Sequence, residues 1–185
     1  MIPYVPVGKR SIFSLWRIVM LTAMVATPLI TLFLSEAWAK IKNGEGKLSG
    51  YFFSTVLSAF ILTATAMVLS SLGILTPLGV SPESISQFLF ARCLFTALWV
   101  VATATLCSSI TSNAGGAALA FGLFSLALLP GLSGASVSWW FIAPLGDMVT
   151  QVDSLRYDWN ISLVVAAHSV IYFALSFLVL KKATH

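Results

Sequence analysis

Residues 51–75 read YFFSTVLSAFILTATAMVLSSLGIL, twenty-five consecutive positions with no charged residue. An α-helix needs about 20 apolar residues to cross the roughly 30 Å hydrocarbon layer of a bilayer, and this stretch has them. The rest of the chain rules out the alternative, a buried helix of a soluble domain. Its 185 residues are 58% hydrophobic and only 9% charged, with a mean hydropathy of +0.96. A soluble domain carries roughly 25% charge to wet its surface. A soluble enzyme is therefore excluded. So is a disordered chain, which would be poor in apolar residues. The sequence describes an all-α integral membrane protein.

Four more runs flank this one. Upstream, the uncharged residues from Ile18 to Ser35 predict a first crossing over 14–35, with Trp16 and Trp38 as interface anchors. Downstream, the loop TPLGVSP leads into FLFARCLFTALWVVATATLCSSI and a crossing over 88–110. Residues 115–132 form a shorter run with Pro130 near its end, and 161–180 form the last, closed by Lys181 and Lys182. The expected fold is one polytopic transmembrane helical bundle of five spans. Lys9, Arg10 and Arg17, an apolar run and then Ala37-Trp38-Ala39 imitate a secretory signal with its cleavage site. The run is longer than a signal core, so a retained first span is expected.

The connection before the last span is harder to place. Val137–Leu145 (VSWWFIAPL) is apolar but too short to cross, and Asp147 follows it. Stretches of this length are more often re-entrant or interfacial. Residues 137–150, with Trp139, Trp140, Pro144 and Asp147, are read as such a segment, and a sixth crossing is the alternative. Charge does not orient the chain. For five spans Lys9, Arg10, Arg17, Arg92 and Arg156 fall on one side, and Lys40, Lys42, Lys47, Lys181 and Lys182 on the other. Five against five leaves the positive-inside rule silent.

Residues that could carry chemistry are few. Gly44-Glu45-Gly46-Lys47-Leu48-Ser49 suggests a phosphate loop, yet the Walker pattern needs Gly where Ile41 stands and Ser or Thr where Leu48 stands. The net charge of +4 comes from scattered residues, which argues against nucleic acid as a partner. Cys93 and Cys107 are fourteen residues apart. That is about 21 Å along a helix, beyond the ~7 Å reach of a disulfide. His168 is the one ionisable side chain well inside an apolar span. Such residues are functional candidates by default. With no acid or second histidine at its depth, a hydrogen bond to a neighbouring helix is the expected role. Ser54, Ser58, Thr63, Thr65, Thr96, Thr103 and Thr105 have no partnered base and read as helix-packing hydroxyls. Ala114, Ala118 and Gly122 make a narrow small-residue packing face on the fourth span. No catalytic constellation, cofactor motif or metal-ligand spacing is legible, so neither enzyme activity nor a cofactor is expected.

The second half has a recognisable order. A long span ends in small polar residues, LCSSITSN, and the Ala- and Gly-rich helix AGGAALAFGLFSLALL starts almost at once. The aromatic, Pro-containing stretch WWFIAPLGDM does not span, and a last span closes with two lysines. In this order residues 88–182 resemble the C-terminal half of a type 2 permease of the ATP-binding-cassette transporters. Val5–Ile12, VPVGKRSI, is similar to a short Pro-small-basic segment that such permeases carry before a span. Three features depart from the family, which usually has six spans, has earlier spans before that segment, and has both ends in the cytoplasm, a placement the charge count does not support.

The resemblance implies the membrane subunit of an exporter in a bacterial cytoplasmic (inner) membrane. It also implies a separate ATP-hydrolysing subunit, a homo- or hetero-oligomer in the lipid bilayer, and a cytoplasmic C-terminus. The polar connection Glu36–Ser49 would then be cytoplasmic too. Within it, Ala37–Lys42 is expected to form a short amphipathic helix against the membrane. Trp38 and Ile41 would share one face and dock into the ATPase, with Lys40 and Lys42 beside them. The competing expectation is a small polytopic interaction or immunity-type protein that acts by packing its spans against a partner.

Overall fold

Hydrocarbon offers no hydrogen bonds, so a spanning segment must satisfy its own backbone N–H and C=O groups, and a helix does so within one segment. The computed structural model of the protein follows this rule. It describes residues 9–44, 47–75, 82–111, 113–133 and 159–184, with side chains in 22–44, 47–70, 93–111, 114–126 and 162–184. All the secondary structure among them is helical: α1, Lys9–Lys42; α2, Leu48–Leu75; α3, Pro82–Ile110; α4, Asn113–Ser133; and α5, Trp159–Ala183. Within the described residues α1, α2, α3 and α5 are each long and apolar enough to cross a membrane, and α4 contributes a shorter apolar stretch, Ala114–Leu126. The protein is a polytopic bundle of transmembrane helices. The segment read as re-entrant, with Trp139, Trp140, Pro144 and Asp147, lies outside the described residues.

Helix ends carry ordinary stop signals. Past Lys42 the chain turns through Gly44, whose φ of +83° is the left-handed conformation that glycine adopts without steric cost. There the Asn43 N–H donates to the Ala39 carbonyl and the Gly44 N–H to the Ile41 carbonyl, both at 3.0 Å. Lys40 and Lys42 occupy the last turn of α1, and Lys181 and Lys182 that of α5. Cations are favourable at this end of a helix because they offset its dipole. Pro82 opens α3, where the missing N–H costs nothing. At the other end of α3 the Thr111 N–H and Oγ1 both donate to the Cys107 carbonyl at 3.0 Å. The chain then reverses directly into α4.

Direction follows from which residues meet. Trp38 near the end of α1 stacks on Phe52 near the start of α2, with ring centroids 5.4 Å apart. Its indole N–H donates to Ser108 Oγ near the end of α3 at 2.7 Å. Phe52 also packs edge-on against Phe177 near the end of α5, at 5.4 Å. The ends of α1, α3 and α5 and the start of α2 therefore gather at one end of the bundle. Trp99 of α3 meets Tyr172 of α5 and, across the α3–α4 turn, Phe124 of α4. Thus α1, α3 and α5 run one way, while α2 and α4 run the other. As a result α4 ends, and α5 begins, at the same end of the bundle.

At the centre is α3, which packs against all four other helices, whereas α5 leans almost wholly on α3. Of the α3 span Cys93–Ile110, 72% is buried inside the chain, against 22% of Ser162–Ala183 in α5. The central helix is built of small side chains, with Ala97, Ala102, Ala104 and Thr105 all buried. Small residues let helix backbones approach closely where lipid gives no hydrophobic drive to associate.

Candidate functional site

Among the residues whose side chains are described, the charged ones gather at the lysine-bearing end. Lys40 and Lys42 of α1, Lys47 of the connection, and Lys181 and Lys182 of α5 are all exposed there. Beneath them Trp38, Phe52 and Phe177 form an aromatic plug, with the outward-facing Phe53 against its edge. The Ser108 hydroxyl that accepts from Trp38 donates onward to the Thr105 carbonyl at 3.0 Å, so the indole N–H is tied into the central helix.

This geometry corrects the expected outward face of Ala37–Lys42. That segment is not a separate short helix; it forms the last turns of α1. Trp38 is 1% exposed and Ile41 2% exposed, both inside the chain. They extend the buried row Ile30, Leu34, Ala37, which recurs every three or four residues and continues past Glu36. Ala39, Lys40 and Lys42 of that segment face outward.

His168 lies in α5 with its ring against Tyr172, centroids 6.2 Å apart. Its Nδ1 is buried and makes no hydrogen bond, so the expected bond to a neighbouring helix is not made through that nitrogen. Thr96 Oγ1, Trp99 Nε1 and Thr103 Oγ1 on α3 and Ser125 Oγ on α4 are also buried without partners. They contrast with the hydroxyls of Thr27, Thr31, Thr63, Thr105, Ser169 and Ser176. Each of those donates to the carbonyl four residues earlier, at 2.6 to 2.8 Å. Residue type alone does not separate the two sets, so no sequence signal marked Thr96 and Thr103.

Of the two placements open to the small-residue face of α4, packing inside the chain or between chains, the first is not found. Ala114 and Ala118 are exposed, and a Cβ on Gly122 would meet nothing within 4 Å. The face turned inward is Gly116, Ala120 and Phe124. Cys93 and Cys107 are buried free thiols within α3. Among the described residues no three His, Cys, Asp or Glu side chains are grouped to hold a metal ion. Comparison of the chain with family models, curated proteins and solved structures found no match to any of them.

One prediction follows for His168. A buried polar atom without a partner costs about 1–3 kcal/mol. His168→Phe keeps a ring against Tyr172 and removes that atom. The variant is expected to unfold in mixed micelles at no lower denaturant concentration than the parent. A clear loss of stability would show that the imidazole makes a bond the bundle depends on.

Proposed function

We propose that the protein is the membrane-embedded permease subunit of an ATP-driven exporter and works with a separate ATP-hydrolysing subunit. The observation supporting this most is that α4 ends and α5 begins at one end of the bundle. The family's order of a helical hairpin, a non-spanning connection and a final span closed by lysines requires that path. The lysine end would then face the cytoplasm, and the contact with the ATPase would fall to exposed Lys40, Lys42, Lys181 and Lys182.

The buried Trp38 and Ile41 favour a second reading, a polytopic interaction protein that packs against a membrane partner. Its contact surface would be the outward apolar faces of α2 and α5, where Leu62 and Val170 stand out most. One experiment separates the two. The full chain is solubilised gently from its native membrane, and what copurifies is identified. An ATPase retained by the parent and released by Lys40→Glu with Lys42→Glu supports the permease. If no ATPase is retained under conditions that preserve transporter complexes, the interaction protein is the better reading.

A further inference from the structure

Just below the lysine end, an open cleft of ≈ 250 Å³ lies between α1 and α2. Glu36 and Lys40 line one wall, and Tyr51, Ser54, Thr55 and Ser58 line the other. Glu36 and Lys40 stand one helical turn apart, in the order that favours an ion pair along a helix. Both are exposed, yet no salt bridge or hydrogen bond joins them. The cleft thus presents one free carboxylate, one free ammonium and a bank of hydroxyls.

Its depth narrows the choice of occupant. Glu36 lies six residues before Lys42, about 9 Å further toward the membrane interior. An ionised group at that depth is costly unless an opposite charge meets it. Further in, the same two helix faces turn apolar. Leu29 lies seven residues before Glu36 and Leu62 four after Ser58, at 61% and 72% exposure. Polar above and greasy below is the profile of an amphiphile. The size suits a headgroup better than a whole drug-sized ligand, for which pockets run from about 300 Å³ upward.

We propose that this cleft seats one phospholipid whose headgroup carries both a phosphate and a primary ammonium. Lys40 and the α2 hydroxyls receive the phosphate, Glu36 receives the ammonium, and the acyl chains lie along the stripe marked by Leu29 and Leu62. A purely anionic headgroup would leave Glu36 uncompensated and bring a second negative charge beside it. A choline headgroup supplies the positive charge but no N–H to donate to the carboxylate. The seat requires no ATPase partner, although it shares Lys40 with the contact proposed above, and lipid retention by the isolated chain is read without any ATPase present.

The test is lipid retention by the full-length protein. It is delipidated, re-equilibrated with equal amounts of phosphatidylethanolamine, phosphatidylglycerol and phosphatidylcholine in detergent, and weighed intact by native mass spectrometry. One phosphatidylethanolamine is expected to be retained, at least tenfold over the other two. Glu36→Gln should bring that preference down to parity with phosphatidylglycerol. Lys40→Gln should reduce retention of every phosphate-bearing lipid about tenfold. Exchanging the two charges, Glu36→Lys with Lys40→Glu, should preserve the preference, which guards against loss by misfolding. The proposal is overturned if the parent shows no preference, or if its preference survives both single replacements. Displacement of the lipid by soluble O-phosphorylethanolamine would overturn it as well, because the acyl chains would then contribute nothing.

Discussion

Trp38→Ala is expected to destabilise the bundle by about 3 kcal/mol or more, the range for truncating a large buried aromatic. Trp38 is among the largest fully buried side chains and joins three helices, stacking on Phe52 of α2 and donating to Ser108 of α3. Removal opens a cavity where α1, α2 and α3 converge. Trp38→Phe keeps an aromatic ring but loses the N–H and part of the indole's bulk, so its cost should fall between about 1 kcal/mol and that of Trp38→Ala. Ser108→Ala, which removes the same hydrogen bond with little change in volume, should cost about 1 kcal/mol, and the double variant less than the sum, since both remove the same bond. Unfolding in mixed micelles, followed by helical circular dichroism, reads all four. If Trp38→Ala matches the parent, the aromatic plug does not hold the bundle's end together.

Gly116→Ala and Gly122→Ala are expected to move stability in opposite directions, although the chemical change is identical. A Cβ at Gly116 would lie 2.9 Å from the Thr111 carbonyl oxygen, 3.2 Å from Thr111 Oγ1 and 3.3 Å from the Cys107 carbonyl oxygen. Two of these three atoms are backbone, so the α3–α4 hairpin itself must open. Overpacking of this kind costs about 1–3 kcal/mol. At Gly122 a Cβ meets nothing within 4 Å. Alanine there should gain up to about 1 kcal/mol from helix propensity alone. The same denaturant titration checks both signs. A stabilised Gly116→Ala would mean that the hairpin is looser than its geometry.

How much of this could be read from the amino acids differs between elements. The helical class followed from uncharged runs, and the α2 run over 51–75 lies within Leu48–Leu75. The end of α1 is less legible, because Glu36 reads as the boundary of the first span. A single charge on the outward face does not stop a helix whose opposite face stays apolar, and Trp38 and Ile41 carry that face to Lys42. Treating the charge as a full stop turned a buried row into an exposed one. Which helix is central was not readable from hydropathy. The most buried span, in α3, has a mean hydropathy of 1.8, below 2.0 for α2 and 2.3 for α5. Lipid and protein interior are equally apolar, so greasiness does not report burial as it does in water. The clue lay in size: α3 holds the densest run of Ala, Thr, Ser and Cys. At the candidate site, Lys40 and Lys42 are exposed, as lysines at a helix end usually are. The cleft between α1 and α2 is not legible, because its carboxylate, ammonium and hydroxyls come from two helices whose mutual rotation is set by packing.

The dependence of α5 on α3 also has a consequence in time. Ribosomes deliver helices in chain order, so α3 reaches the bilayer while its last neighbour is still unmade. Until α5 emerges, the side of Trp99 that meets Tyr172 has no cover. Phe52 likewise waits for Phe177, which lies only a few residues from Lys181. Completion of the central helix's surroundings is thereby tied to synthesis of α5. A chain cut short before the last span would leave its innermost helix in contact with lipid, a distinguishable substrate for membrane proteases.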